Sequence, residues 1–393
     1  MRIGLTIGRL DRGGSERQLM ALAKGLAARG HEVEVLCYGG PSPYDAELVA
    51  SGVGVRTPEA AGRTGKVRAA AEWMGTFRPD VVHGFMKRAS LVAALARARA
   101  KGMERRPAVV ANDYSTATFR RTAPALWASL LGFSLADSVT TETELNRRSL
   151  EKLAPWLRGK TVVIRNGIDT ERYRPAPEAS GGSEARAEPE RGGALAVGDA
   201  PEAPFRFCAV SRVVALKNPV RVVRAAAELD RREGVGPFVI DWYGRYAEPG
   251  EAPYAAYAEA KEEAERSGVA HLVRFHGDTS DVERVYREAD ALLHASVQEG
   301  FPNAVAEGLA SGLPVAVSDV SDLPLVVQEA RNGVVFDESD PRSIADALAR
   351  LMATPEAERR AMGGRSRDLA VRWFAESQFI DAHERLYESV RVR

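Results

Sequence analysis

The chain has 393 residues, more than one hydrophobic core usually organises, so two domains of ordinary size are expected. Lys plus Arg and Asp plus Glu number 54 each, so no overall charge favours nucleic acid or another strongly charged partner. Hydrophobic residues make up 45%, without the long uninterrupted apolar run of a membrane span, so we expect a soluble globular protein.

The first half of the sequence alternates short β-rich runs with helical patterns, which is typical of a parallel sheet covered by helices. After the run RIGLTI comes a helix in which Ser15 and Gln18 have capping-box spacing and which Gly30 closes. Further strands are predicted at HEVEVLCY, PDVVHGF, PAVVAND, DSVTTET and TVVIRNG. Residues 1–175 therefore predict one doubly wound α/β domain.

A break in composition separates this domain from a second one. Residues 176–204 are rich in Ala, Gly, Pro and Glu with scarcely a large apolar side chain, which indicates a flexible linker. Strand-like runs resume at FRFCAVSR, PFVIDWYG, HLVRFHG, ADALLHAS, PVAVSD and GVVFD. We expect a second α/β domain over 205–374 and an amphipathic helix over 375–393 that packs back on the first domain.

The two cysteines, Cys37 and Cys208, lie in apolar strand-like runs and not in a metal-ligand spacing, which predicts buried thiols. No signal-peptide pattern opens the sequence. We therefore expect a cytoplasmic protein, with the inner face of the membrane as an alternative location.

The loop between the first strand and the first helix carries two adjacent glycines, Gly13 and Gly14. Free N–H groups at a helix N-terminus favour an anion, so a phosphate could bind there, although a plain turn would use the same glycines. A dinucleotide-binding loop would need G-x-G-x-x-G and an acidic residue after the second strand. This sequence has neither, which disfavours NAD.

Two cations, Arg212 and Lys217, follow the first strand of the second domain. Ligands of α/β folds bind at the carboxyl ends of parallel strands, so both cations could reach one diphosphate and stabilise it as a leaving group. The alternative is a pair of solvated surface cations.

The most informative segment is ADALLHASVQEGFPNAVAEGLASGLPV. A buried strand leads into a loop with Glu299, and the following helix carries Glu307 among small apolar residues. The N–H groups of Gly300 and Phe301 suit hydroxyl or phosphate ligands. Glu307 either faces water on the outer side of its helix or needs a partner, because a buried carboxylate is costly.

Glu299 and Glu307 are separated by seven residues, which resembles the paired-glutamate signature of retaining glycosyltransferases, most closely glycosyltransferase family 4. The run Gly-Gly-Ser-Glu-Arg near the start, the Arg212 and Lys217 pair, VIRNGIDTERYRP and EGFPN match that family in order and spacing. The resemblance spans nearly the whole chain. It implies a GT-B fold, in which two Rossmann-like doubly wound domains face each other across a cleft.

The same resemblance implies roles for single residues. Catalysis would depend on Glu299, Arg212 and Lys217, with the two cations on the donor diphosphate and Glu299 on hydroxyls of the donor sugar. Glu307 would hydrogen-bond the ribose hydroxyls. The complete donor-binding set would be Gly13, Gly14, Arg212, Lys217, Glu299, Gly300, Phe301, Asn303 and Glu307.

The sequence departs from the family pattern on the acceptor side. Many members have a histidine near the reacting sugar where the strand PAVVAND here ends in Asn112 and Asp113. His83, which ends PDVVHGF, is a candidate to line the acceptor side, although a packed, hydrogen-bonded histidine is the alternative. Asp113 would orient the acceptor.

We expect front-face transfer with retention, in which the departing phosphate oxygen accepts the proton of the acceptor. No carboxylate pair with the oxygen-ligand pattern of a metal site follows a strand, so the cations are expected to replace a divalent metal. No cofactor is expected besides the nucleoside-diphosphate-sugar donor, with a UDP-sugar favoured. The acceptor would be a sugar, a lipid-linked molecule or a small molecule in polysaccharide, glycolipid or glycoconjugate synthesis.

Basic residues surround the apolar stretch LVAALARARA, with Trp127 and Phe133 soon after it. Such a surface suits peripheral association with an anionic membrane, and an ordinary core-facing helix is the alternative. The basic residues are Lys87, Arg88, Arg97, Arg99, Lys101, Arg105 and Arg106.

Two other classes of protein fit the same architecture, because a fold does not fix a reaction. One is a nucleotide-sugar epimerase or a sugar phosphorylase; a phosphorylase would need a lysine for pyridoxal phosphate near the end of the chain, and the final segment has none. The other is a non-catalytic nucleotide-sugar-binding protein, which would bind the donor without turnover.

Overall fold

The computed structural model describes residues 1–391 except 12, 60–61, 102, 104, 114–123, 177–202, 248–250 and 252–253. These residues divide into two compact units. Unit 1 consists of Met1–Asp169, Gln298–Asn303 and Val371–Arg393, and unit 2 of Thr170–Val297 and Ala304–Ala370. The linker predicted over 176–204 lies, apart from its ends, outside the described residues.

Unit 1 is built on a seven-stranded parallel sheet. Its strands are β1 (Arg2–Ile7), β2 (Glu32–Cys37), β3 (Gly54–Arg56), β4 (Val81–Gly84), β5 (Ala108–Asp113), β6 (Ser138–Thr141) and β7 (Thr161–Val163). Its helices include α1 (Gly14–Ala28), α2 (Asp45–Ala50), α3 (Gly62–Phe77), α4 (Met86–Arg97), α5 (Pro124–Leu135) and α6 (Glu144–Leu153). The strand order is β3-β2-β1-β4-β5-β6-β7, so the winding direction reverses beside β1, where α/β folds bind ligands.

Helix α1 begins differently from the predicted capping box. Its N-cap is Gly13, which has extended backbone and no side-chain cap hydrogen bond. The buried amide of Gln18 instead donates to the carbonyl of Gly167 (2.9 Å) and accepts from the Gly167 N–H (2.7 Å). The capping-box prediction was wrong because Gln18 serves a tertiary contact; the predicted glycine end is confirmed, since Gly30 has a φ of +83°.

The helix at the end of the chain, α14 (Glu376–Arg391), belongs to unit 1 and packs on α1. Its apolar stripe shares one core with α1 and β1. A Cβ placed on Gly25 would come within 2.1 Å of Ile380 Cδ1, so this glycine permits the close approach of the two helices. The buried residues of α14 are Phe379, Ile380, His383, Leu386, Tyr387 and Val390.

Unit 2 contains a six-stranded parallel sheet. Its strands are β8 (Phe205–Val210), β9 (Phe238–Tyr243), β10 (Val273–Gly277), β11 (Ala291–His294), β12 (Val315–Ser318) and β13 (Gly333–Phe336). The helices of this half of the chain are α7 (Pro219–Asp230), α8 (Tyr254–Arg266), α9 (Val282–Glu288), α10 (Asn303–Ala310), α11 (Leu323–Ala330), α12 (Pro341–Ala353) and α13 (Glu356–Phe374). The order β10-β9-β8-β11-β12-β13 is again doubly wound, which confirms the prediction of two Rossmann-like α/β domains.

Three further properties bear on the predictions. Cys37 and Cys208 are free, buried thiols, as predicted. Within the described part of the chain, no helix is long and apolar enough to cross a membrane. The same residues contain no group of three or more His, Cys, Asp or Glu side chains arranged to hold a metal ion.

Candidate functional site

In unit 1, the start of α1 lies at the carboxyl end of β1 and is covered by an acidic side chain. A Cβ on Gly13 would lie 2.2 Å from Oε2 of Glu16, so this carboxylate folds back over the glycine. Burial raises the pKa of Glu16, and a hydrogen bond from its own backbone N–H opposes that shift. A phosphate binding at this helix start would therefore have to displace the Glu16 carboxylate.

Gly14 faces a different neighbour. A Cβ at this position would lie 3.5 Å from Nδ2 of Asn303, which is ordinary van der Waals contact. Asn303 is the first residue of α10 and groups with unit 1. The structure thus brings together two members of the predicted donor-binding set, Gly14 and Asn303.

Asp113, a predicted acceptor-side residue, ends β5 and is fully buried beside a lysine. Its Oδ1 lies 3.3 Å from Nζ of Lys87, whose side chain is also largely buried. Burial lowers the pKa of Lys87, and the Asp113 carboxylate opposes that shift. Lys87, expected on a basic surface, therefore belongs to a buried ion pair at the carboxyl edge of the sheet.

Glu142 follows β6 and lies next to this pair, because β5 and β6 place Asp113 opposite Thr141. Its buried carboxylate accepts hydrogen bonds from the Phe301 N–H and from the Asn166 side chain. Burial raises the pKa of Glu142 well above its usual value; the two hydrogen bonds oppose the shift, and the Glu299 and Asp113 charges add to it.

The segment 298–303, here called the Glu299 loop, is fixed in unit 1 by Asn166. Nδ2 of Asn166 donates to Oδ1 of Asn303 (2.8 Å) and to the carbonyl of Phe301 (3.3 Å). The ring of Phe301 packs against Phe374, with centroids 4.7 Å apart. Glu299 and Gly300 are half-buried. The Phe301 N–H, predicted to be offered to the donor, is engaged by Glu142 instead.

The other two predicted acceptor-side residues have structural partners. His83 is fully buried, with Nδ1 2.7 Å from the Tyr387 hydroxyl and Nε2 3.4 Å from Oγ1 of Thr140. The packed, hydrogen-bonded alternative therefore fits His83 better than a lining role. Asn112 is buried as well; its Nδ2 donates to Oγ1 of Thr140 (3.1 Å), and its Oδ1 accepts from the Met86 N–H (3.4 Å).

In unit 2, the two predicted cations lie on a loop at the carboxyl end of β8. Arg212 is exposed and Lys217 is half-buried. A backbone hydrogen bond stabilises this loop: the Val297 N–H donates to the carbonyl of Leu216 (2.9 Å). A Cβ on Gly244 would come within 2.1 Å of the Ser211 carbonyl oxygen, so the loops after β8 and β9 approach closely only with glycine there.

Glu307 lies on α10 and is buried, with 3% of its surface exposed, so the alternative of a water-facing glutamate is wrong. The hydroxyl of the fully buried Tyr286 donates to Oε2 of Glu307 (3.0 Å). Burial and then the Glu307 charge raise the pKa of Tyr286 well above its usual value. Arg172 lies close enough to Glu307 to interact with its charge. The hydrogen bond to Glu283 and, to a smaller degree, the Glu307 charge raise the pKa of Arg172.

Sequence reasoning missed Glu142, Asn166 and Tyr286. Glu142 had a usable signal, because it follows a buried strand next to the one that ends in Asp113. Asn166 lies in the segment VIRNGIDTERYRP, which carried the resemblance but no role for this residue. Tyr286 precedes its partner Glu307 by 21 residues on a separate helix, so no local pattern connects them.

Comparison with known families matches both halves of the chain. A family described as Glycosyltransferase Family 4 matches residues 12–172, and one described as Glycosyl transferases group 1 matches 204–354. Together the matches cover most of both sheets.

The chain is similar to proteins named D-inositol 3-phosphate glycosyltransferase. That of Nocardia farcinica is 32% identical over 228 residues, 57% of this chain and 47% of the relative. That of Catenulispora acidiphila is 29% identical over 56% of this chain and 49% of the relative, so the chain spans about half the length of these curated relatives. A longer match, at 27% identity, covers 97% of this chain and 87% of the protein from a Nocardioides species.

Solved structures resemble the fold at lower identity. The Anabaena protein HepE in complex with UDP has a TM-score of 0.78 at 18% identity, covering 99% of this chain and all of that one. Sucrose-phosphate synthase from Thermosynechococcus elongatus has a TM-score of 0.77 at 17% identity, covering 99% of each chain. With two doubly wound sheets and matches in both halves, the chain belongs to glycosyltransferase family 4 and has its GT-B fold.

Proposed function

We propose that the chain is a retaining glycosyltransferase that moves a sugar from a nucleoside-diphosphate-sugar, with a UDP-sugar favoured, to a hydroxyl acceptor. The observation that carries the proposal is the buried Glu307, which Tyr286 holds at Oε2 within a parallel α/β sheet unit. A buried carboxylate of this kind suits a pair of ribose hydroxyls, because charged acceptors make strong hydrogen bonds to neutral donors. The family membership and the UDP complex of HepE support the donor class.

Arg212 and Lys217 are proposed to bind the donor diphosphate. Both follow β8 at the carboxyl end of the unit 2 sheet, where ligands of α/β folds bind. Charge grows on the diphosphate as the sugar departs, and fixed cations stabilise that charge without a divalent metal. The hydrogen bond from the Val297 N–H to the Leu216 carbonyl fixes the backbone of their loop beside Lys217.

Glu299 is proposed to bind hydroxyls of the donor sugar, with the Gly300 N–H beside it. Glu142 acts as a positioning residue, because its carboxylate holds the Phe301 N–H while Asn166 holds the Phe301 carbonyl. The two contacts fix the backbone two residues after Glu299. Precise placement of this carboxylate matters because small displacements lower the rate of an oriented reaction.

In the proposed transfer, the departing phosphate oxygen accepts the proton of the acceptor hydroxyl on the same face of the sugar. No side chain then has to act as base, and retention follows. Asp113 is proposed to orient the acceptor, with Lys87 paired to it at 3.3 Å. The names of the curated relatives suggest a phosphorylated inositol as one acceptor to try beside simple sugars and lipid-linked acceptors.

The test is a thermal-shift screen with UDP, GDP, ADP and their sugars, followed by turnover with the donor that stabilises the protein. Selective stabilisation by one nucleotide-sugar and an NMR spectrum of a product with the donor's anomeric configuration are expected. An inverted product would refute retention. Donor binding without transfer or slow hydrolysis would leave the non-catalytic nucleotide-sugar-binding protein as the better description.

A further inference from the structure

Helix α5 of unit 1 exposes large apolar side chains along one side. Trp127, Leu131 and Leu135 are spaced four residues apart, which places them in one stripe, and Trp127 is 59% exposed. The side of the helix that faces the core buries Leu130 and Phe133. The helix has no charged residue. The three exposed side chains therefore take no part in the core. They form a contiguous apolar patch, unlike the single apolar residues that are scattered over most protein surfaces.

Trp156 extends this stripe. It lies in a short 3-10 turn after α6, is 58% exposed, and its indole N–H donates to Oγ of Ser134 on α5 (2.9 Å). The side chain therefore lies against the C-terminal part of α5. Two tryptophans and two leucines consequently form one apolar surface across α5 and this turn.

Exposed basic side chains lie on α6, the helix that directly precedes the turn with Trp156. Arg148 and Lys152 are exposed and four residues apart, so they share one side of the helix. The acidic residues of the same helix, Glu144 and Glu151, are both paired with Arg147. Arg158, two residues after Trp156, is exposed as well. Three exposed cations thus lie within eight residues of Trp156 along the chain.

We propose that this surface, formed by Trp127, Leu131, Leu135, Trp156, Arg148 and Lys152, binds the interface of an anionic lipid bilayer. Tryptophan prefers the level of the headgroups, leucine inserts below it, and lysine and arginine attract anionic lipid. A second copy of the chain fits less well, because a two-fold contact through this surface would place the exposed cations of both copies in one interface without added acidic partners.

This surface differs from the basic one predicted around α4. Lys87 pairs with Asp113 and is largely buried. Arg97 pairs with Asp137, two residues after the end of α5. Phe133 is fully buried. The bilayer contact is therefore assigned to α5, α6 and the turn after α6.

The experiment is flotation of the full chain, without nucleotide-sugar, with vesicles of phosphatidylcholine alone or with about one third phosphatidylglycerol. We expect binding to the anionic vesicles, weakened by high salt. The double variant Trp127→Ser/Trp156→Ser and the double variant Arg148→Glu/Lys152→Glu should each lower the partition coefficient by about tenfold or more. Val49→Ser, at an exposed apolar position of α2, is the matched control and should bind like wild type.

Three results would overturn the proposal: no binding to anionic vesicles, equal binding to neutral ones, or wild-type binding by both double variants. A wild-type dimer that Trp127→Ser/Trp156→Ser converts to a monomer, without vesicle binding, would assign the surface to self-association. Donor hydrolysis in solution should be the same in these variants as in wild type. Failure of the vesicle test is thereby distinguished from failure of the proposed transfer activity.

Discussion

At the scale of single residues, the proposed ribose-binding Glu307 forms a buried polar pair with Tyr286, with 3.0 Å between the hydroxyl and carboxylate oxygens. Glu307→Gln keeps the shape of the side chain and removes its charge. Because hydrogen bonds to charged groups are stronger, we expect donor KM or the Kd for the nucleotide to rise about tenfold. Calorimetry with the nucleotide measures the effect.

Tyr286→Phe is the companion variant for this prediction. It removes the donor to Oε2 but keeps the carboxylate, so a smaller loss of affinity than in Glu307→Gln is expected, together with lower stability. Nucleotide affinity unchanged in Glu307→Gln would contradict the ribose assignment.

Substitutions at Glu142 test whether transfer requires a fixed backbone in the Glu299 loop. Glu142→Ala removes the acceptor of the Phe301 N–H, and we expect kcat to fall about 10- to 100-fold while donor KM changes little. Glu142→Gln keeps an acceptor oxygen and should restore most of kcat. The control is Glu144→Ala, because Glu144 lies two residues from Glu142 but is half-exposed. This variant should behave like wild type. Equal loss of kcat in the Gln and Ala variants would argue against positioning.

The residues of the candidate site were only partly predictable from sequence. Glu299, Glu307, Arg212 and Lys217 stood out through spacing and order. The burial of Glu307 depends on which side of α10 faces the core. The sequence did not determine that side, because small residues both precede and follow Glu307 along the helix. Gln18 was assigned to a local cap because its partner, the Gly167 backbone, lies 149 residues away.

At the scale of elements, the contact between α1 and α14 depends on one glycine. Gly25→Val places a branched side chain where Ile380 Cδ1 already lies, so we expect the free energy of unfolding to fall by about 1–3 kcal/mol. Gly364→Val is the matched control, because a Cβ there meets nothing within 4 Å. Chemical denaturation measures both.

A double variant tests whether the side chain at position 25 clashes with Ile380. Ile380→Ala in the Gly25→Val background removes the clashing methyl groups and should lose less stability than the sum of the two single changes. Simple additivity would mean that the two side chains do not meet.

Strand and helix positions were the most predictable level of the structure. Each β-rich apolar run corresponds to a strand, because buried parallel strands consist of continuous apolar residues. One strand was not predicted: β3, at the edge of the unit 1 sheet, has only the three residues Gly54–Arg56, with a single large apolar side chain. Helix starts were less predictable, since α1 uses a glycine N-cap without a side-chain bond.

At the scale of the whole molecule, two buried histidines link stability to pH. Burial lowers the pKa of His383 to about 4 and that of His83 well below its usual value. The unfolded chain binds protons near pH 6.5 while the folded chain does not, so stability falls as pH drops from 6.5 towards 4. For His383 the full loss is on the order of 3 kcal/mol.

Urea denaturation at pH 7, 6 and 5 measures this dependence. His383→Gln should have a shallower slope of stability against pH than wild type, whatever its stability at pH 7. The same slope in both proteins would show that His383 protonates equally in the folded and unfolded states.

The proposed metal independence is also tested on the whole molecule. We expect EDTA to leave transfer activity intact, because Arg212 and Lys217 are proposed to neutralise the diphosphate. Lys217→Ala should lower kcat far more than thermal stability, since its proposed partner is the ligand. Loss of activity in EDTA and its return with Mg²⁺ would refute this account of leaving-group stabilisation.

The path of the backbone limits which fragments of this protein can be produced in soluble form. Unit 1 collects three separate stretches, Met1–Asp169, Gln298–Asn303 and Val371–Arg393. A gene fragment truncated after Asp169 would lack α14, and the apolar stripe of α1 that includes Leu22 and Leu26 would lose part of its cover. Such a fragment should aggregate, whereas supplying α14 as a fused C-terminal peptide should improve its yield in soluble form.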